Sequence, residues 1–144
     1  MSTFELKWRA RKISGAQTPR KFLDFVIDGS SFYDGLEHDL ISPLGWYLPK
    51  YHQRAIDRFL LHGPPDFSDG RRSIYVCGEC GDLGCGALAA RIERTDHHII
   101  WKDFNYQNDF DPDIGYGDYS HLGPFSFDLD EYSTAIRQAV TINK

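Results

Sequence analysis

The three cysteines of this 144-residue chain fall within nine residues, in Cys77-Gly-Glu-Cys80-Gly-Asp-Leu-Gly-Cys85-Gly. Thiols are soft metal ligands and, once ionised, strong nucleophiles, so their spacing is the first place to look for chemistry. Cys-x2-Cys is the spacing of a zinc knuckle, in which one tight turn aims two sulfurs at a tetrahedral ion. On that reading zinc is the cofactor, Cys77, Cys80 and Cys85 are three ligands, and a fourth comes from His62, His97, His98 or His121. A two-knuckle site is incomplete here, because no further Cys-x2-Cys or His-x3-His is present. A redox reading needs a lowered thiol pKa, commonly provided by a helix starting after Cys-x2-Cys, and Gly81-Asp82-Leu83-Gly84 is poor helix. The plainest alternative assigns no metal and no cofactor. The glycines then make a tight connection between two strands, and small buried cysteines pack like apolar residues.

A second chemistry-bearing stretch runs from Asn105 to Tyr132, with seven acidic residues, seven aromatics and no Lys or Arg. Asp109, Asp111 and Asp113 alternate like the start of a calcium loop. Counted from Asp109, however, the sixth position is Ile114 instead of glycine and the twelfth is Ser120 instead of glutamate. Carboxylates interleaved with aromatics suit a protein interface better, since aromatic side chains anchor and acids steer a basic partner. The expected contact patch is Asp109, Asp111, Asp113, Tyr116, Asp118 and Tyr119. The competing reading is an acidic loop that solvates an irregular stretch and turns its aromatics into the core.

The cysteine loop, continued through Trp101-Lys102-Asp103-Phe104, resembles a group of small bacterial proteins. These carry a strand, a C-x-x-C-G-D-L-G-C-G loop and a following hairpin, and some are labelled oxidoreductase. The resemblance covers about residues 70 to 108 well and the first seventy loosely. It departs at Gly78, where proline is typical, and it implies no active site.

The elements that must position these residues follow from periodicity. Phe4, Leu6, Trp8 and Ala10 alternate with charged neighbours, and residues 21 to 28 resume the pattern after breaks at Ser14-Gly15 and Thr18-Pro19, so a strand pair opens the chain. Residues 32 to 48 read as irregular. Pro49 opens a helix of about 50 to 61, with His52, Ile56, Phe59 and Leu60 on one face. Strands are expected at 72 to 77, 87 to 93 and 99 to 104. Asp128 and Glu131 form a capping box for a C-terminal helix of about 129 to 140. The expected fold is a single α+β domain with a largely antiparallel sheet.

Composition narrows the function classes. The net charge of −5 is concentrated: residues 1 to 104 hold 14 Lys/Arg and 14 Asp/Glu, whereas 105 to 144 hold two and seven. Met1 to Lys21 carries six basic residues against Glu5 alone, so the chain is polarised unless its ends meet. An acidic protein is a poor ligand for nucleic acid but can occupy the basic site of a nuclease. No apolar run reaches the length of a membrane span, no leader is evident, and an odd number of clustered cysteines suits a reducing cytoplasm. No G-x-S-x-G, H-E-x-x-H, Walker A or G-x-G-x-x-G motif is present. The expectation is therefore a non-enzymatic cytoplasmic binding protein of the immunity or inhibitor kind, neutralising a basic partner such as a toxin or nuclease. A small zinc-binding or thiol-redox protein is the alternative.

Overall fold

A computed structural model describes residues 1–36, 38–110, 119 and 121–141. Two antiparallel sheets and two helices make up the α+β fold. The first sheet pairs β1 (Phe4–Ala10) with β2 (Lys21–Ile27) and a two-residue β3 (Ser30–Ser31). The second runs in the order β4 (Leu40–Ile41), β5 (Arg72–Cys77), β6 (Ala87–Arg94), β7 (His98–Gln107) and β8 (Phe125–Asp128). Helix α1 is Pro49–Phe59, started by proline, and α2 is Leu129–Arg137, whose Asp128 accepts the Glu131 N–H at 2.9 Å. That bond satisfies one of the free donors at the helix start.

Besides the two-residue strands β3 and β4, which the sequence reading did not include, two elements differ from it. Residues 125 to 128, to which the sequence assigned no strand, form β8, with Trp101 opposite Phe125 and Ile99 opposite Phe127. The period-two expectation for residues 21 to 28 fails because β2 is buried on both faces, Asp24 included at 2% exposure. Asp24 survives there by accepting hydrogen bonds from the Tyr75 hydroxyl, the Ser31 hydroxyl and the Phe25 N–H, and burial raises its pKa.

The main core is aromatic. Phe4, Phe25, Phe59, Trp101, Phe127 and Tyr132 pack mostly edge-on or tilted, with Phe127 stacked on Tyr132, and with Phe4 and Tyr132 centroids 4.8 Å apart and Phe25 and Trp101 5.1 Å apart. Trp101 donates to the Tyr132 hydroxyl, which donates to the Phe59 carbonyl at 2.8 Å, so the core's polar tips are satisfied and α1 is tied to α2. Strand β5 is covered on both faces: Tyr75 joins this core, while Val76 joins a smaller cluster of Phe67, Ala87 and Ala89, against which Trp46, Tyr47 and Leu83 pack. That second cluster is the bed of the cysteine loop.

The two ends of the chain meet. The Ser2 N–H donates to the Ser126 carbonyl at 2.8 Å, and the Phe4 N–H donates to Glu131 Oε1 at 3.0 Å. The basic residues in and just after the first strand are matched elsewhere: Arg9 and Lys12 pair with Asp34, and Arg11 pairs with Asp39 and Glu79. No helix among the described residues is long and apolar enough to cross a membrane.

Candidate functional site

The cysteine loop leaves β5 at Cys77 and turns at once, the Gly81 N–H donating to the Cys77 carbonyl at 2.9 Å. Gly81 has φ +68°, and a side chain there would also collide with the Tyr47 hydroxyl, which donates to the Gly81 carbonyl at 3.0 Å. The turn is gripped from the other side by the first hairpin. The Arg11 side chain, 0% exposed, donates to Asp39 and to Glu79 between the first two cysteines, the latter at 2.8 Å. Glu79 also accepts from the Thr18 N–H and hydroxyl, and Arg20 donates to the carbonyls of Gly78 and Glu79. The Thr18 and Arg11 donors hold the Glu79 carboxyl down to about 2. Asp82 then accepts from the Gly84 N–H and shapes a single 3-10 turn at Leu83–Cys85, which returns the third cysteine to the first two.

All three sulfurs lie within 4.8 Å of one another, and the Cys80 and Cys85 sulfurs are 3.3 Å apart. Burial pushes the Cys77 thiol up, but the N–H groups of Cys80 and Glu79 and the two neighbouring thiols outweigh it and leave its pKa lowered. Cys85 is pushed up to about 12 by its hydrogen bond to Cys80, by burial and by the negative charge on its neighbours. Cys77 is thus biased toward the thiolate and Cys85 away from it.

The donor set and spacing fit a soft divalent ion. Zinc–sulfur bonds of about 2.3 Å in a tetrahedron place the sulfurs roughly 3.8 Å apart, within sub-ångström adjustment of the pair here. Two expectations are corrected. The cysteines are not buried packing residues: Cys80 and Cys85 are exposed and Cys77 half-buried, because the loop turns outward where β5 ends. And no histidine joins the trio among the described residues. His97 and His98 sit at the opposite end of the β6–β7 hairpin, where the His97 carbonyl accepts from Leu129, while His62 closes α1 through Asp57. His121 is exposed. Only the single 3-10 turn, and no α-helix, directly follows Cys80 among the described residues.

The acidic segment begins against this loop. A methyl group on Gly84 would lie 3.5 Å from the Phe110 ring and 3.7 Å from Asp109 Oδ1, so two features widely spaced in sequence share one surface. Asp109 is exposed and Phe110 is 84% exposed, whereas Tyr119 is 7% exposed and lies beside Tyr106 and His38. Asp111, Asp113, Tyr116 and Asp118 of the expected patch lie outside the described residues.

A cleft of about 640 Å³ opens on the other side of the loop, and sequence reasoning missed it. Cys80, Gly81, Asp82 and Leu83 form one wall, Trp46, Tyr47 and Leu48 a second, and the Tyr51, Arg54 and Arg58 face of α1 the third. The i, i+3, i+7 spacing of those three helix residues and the Trp-Tyr pair before Pro49 were the available signals. The irregular reading of residues 32 to 48 hid which way the pair points.

Set beside known protein families, curated proteins and solved structures, the chain finds no match in any of the three. What fold and site define is an α+β protein with a three-cysteine cluster on a clamped strand connection.

Proposed function

We propose that the chain is a thiolate metal-binding protein in which Cys77, Cys80 and Cys85 hold a thiophilic divalent cation, zinc by preference. The observation that carries this reading is the convergence of the three sulfurs within 4.8 Å on a turn held from both sides. With three protein ligands the coordination shell keeps one position for a water or an exogenous group. A three-thiolate zinc centre carries a net negative charge, and Arg11 and Arg20 both donate to the turn between the first two cysteines. The cation links β5 to the start of β6, so it also stabilises the connection.

The test is elemental analysis of protein purified without a histidine tag, followed by competition with a chromophoric chelator. One zinc per chain is expected, falling to none in Cys80→Ser and Cys77→Ser while both remain folded by circular dichroism. Wild-type protein that carries no stoichiometric zinc, iron or cobalt, and takes up none from equimolar salt, overturns the proposal.

A second reading is favoured by one observation: Phe110, nearly fully exposed, stands beside the exposed Asp109 at the rim of the cysteine loop. An exposed aromatic flanked by acids is the composition of an anchor for a basic protein partner, such as a toxin or nuclease to be neutralised. Pull-down from the native host tests it, with loss of the partner expected in Phe110→Ser combined with Asp109→Lys. Undiminished capture removes this surface as the contact.

A further inference from the structure

The cleft beside the thiol trio has a charge and shape that select its occupant. Its volume of about 640 Å³ lies within the roughly 300–1,000 Å³ of small-molecule sites. The deep side is apolar, with Ala55, Phe59 and Val76 buried beneath Trp46, Leu48 and Leu83. The rim is cationic. Of its three arginines, Arg58 is matched by Asp66 at 3.0 Å. Arg20 stacks on Trp46, 4.3 Å from the ring centroid, and donates only to carbonyls. Arg54 and the adjoining Lys50 flank the Tyr51 ring at 5.4 and 5.1 Å. None of Arg20, Lys50 and Arg54 has a carboxylate within 4 Å among the described residues. Asp82 is the one acid in the lining. Among the described residues, two unmatched arginines line the cleft against one carboxylate, with Lys50 adjoining, and in a protein of net charge −5 they make a local positive field over aromatic walls.

We propose that this cleft binds a planar organic anion, such as an aromatic carboxylate. Its ring lies against Trp46 and Tyr51, and its acid group meets the guanidinium groups of Arg54 and Arg20. Aromatic faces and guanidinium planes both stack on flat rings, and a bidentate guanidinium–carboxylate pair supplies the orientation. A neutral ring would gain the stacking alone, and a cationic one would be repelled. Binding stands on the cleft itself. Only its adjacency to a cation, through Cys80 in the shared wall, rests on the metal reading above.

The experiment is isothermal titration of 2-naphthoate, 2-naphthalenemethanol and 2-naphthylmethylammonium into chelator-treated protein, repeated after addition of one equivalent of zinc. In the chelator-treated protein 2-naphthoate is expected to bind about tenfold or more tightly than the alcohol, with the ammonium weakest. Arg54→Glu should erase that preference and Arg54→Lys should retain part of it. Arg54 is exposed, and Arg54→Gln keeps the comparison readable if the reversed charge perturbs α1. Equal binding of acid and alcohol, no saturable binding of 2-naphthoate, or a preference untouched in Arg54→Glu and Arg54→Gln overturns the proposal. Failure of zinc to bind overturns the metal reading only, because the chelator-treated arm decides this one.

Discussion

Gly78 has no side chain, and Arg11 occupies the space that one would take. A Cβ at residue 78 would lie 2.5 Å from Arg11 Nε and 2.8 Å from its Cζ, and moving the guanidinium aside would disturb its pairs with Asp39 and Glu79. The missing side chain therefore makes space for a buried cation that crosses from the first strand to the cysteine turn. Gly78→Ala should destabilise the fold by about 1–3 kcal/mol, the usual cost of forcing a methyl into a filled site. In an Arg11→Ala background the same change should cost less, and urea denaturation of the four proteins in a double-mutant cycle reads the coupling. Equal cost in both backgrounds would show that Arg11 is not the obstacle. From the sequence, Cys77, Cys80 and Cys85 were legible as a group because ligand spacing is local. Their exposure was not, since it depends on where β5 ends and what grips the loop. Nothing in the spacing of Arg11 and Gly78, 67 positions apart, announces that they touch.

At the scale of elements, most strands and both helices were legible because period-two and period-3.6 patterns reflect one-sided burial, as in β1 and α1. Strand β8 was not, because Phe-Ser-Phe-Asp is short and merges into the capping signal of α2. Strand β2 misled in its faces, since a strand covered on both sides loses the alternation. The joint between the first hairpin and the cysteine turn has a pH signature. The Glu79 carboxyl ionises at about 2 in the fold against an ordinary 4.5, so the unfolded chain binds more protons between those values. The stability from this clamp is present above about pH 4.5 and is lost as pH falls toward 2. Denaturation of Glu79→Gln and of the parent from pH 7 to pH 2 should show a gap that is constant above pH 5.5 and shrinks below pH 4. A gap that widens in acid would contradict the clamp. The buried Asp24 predicts a separate loss. Tyr75→Phe removes one of its donors and should cost about 1–3 kcal/mol, measured by the same denaturation.

For the molecule as a whole, the thiol trio and the His97–His98 turn lie at opposite ends of the β6–β7 hairpin, so a cation at the trio should act at one end only. Hydrogen exchange with and without one equivalent of zinc should slow amides in residues 77 to 86 and in the Thr18–Arg20 stretch that grips them. The turn at residues 94 to 98 should exchange at an unchanged rate. Uniform protection would mean that the metal stabilises the fold globally instead of the loop.

The meeting of the chain ends also sets a schedule for synthesis. Phe4 packs against Phe127 and Tyr132, and its N–H waits for Glu131, so the first strand leaves the ribosome long before its neighbours exist. At roughly 5–20 residues per second, some 6 to 26 s separate them. During that interval Phe4 and Phe25 have no Trp101, Phe127 or Tyr132 to cover them, and the three thiols emerge before the core can close. A nascent chain halted before Phe125 should therefore be protease-sensitive throughout, because Phe4 and Phe25 still lack their covering rings.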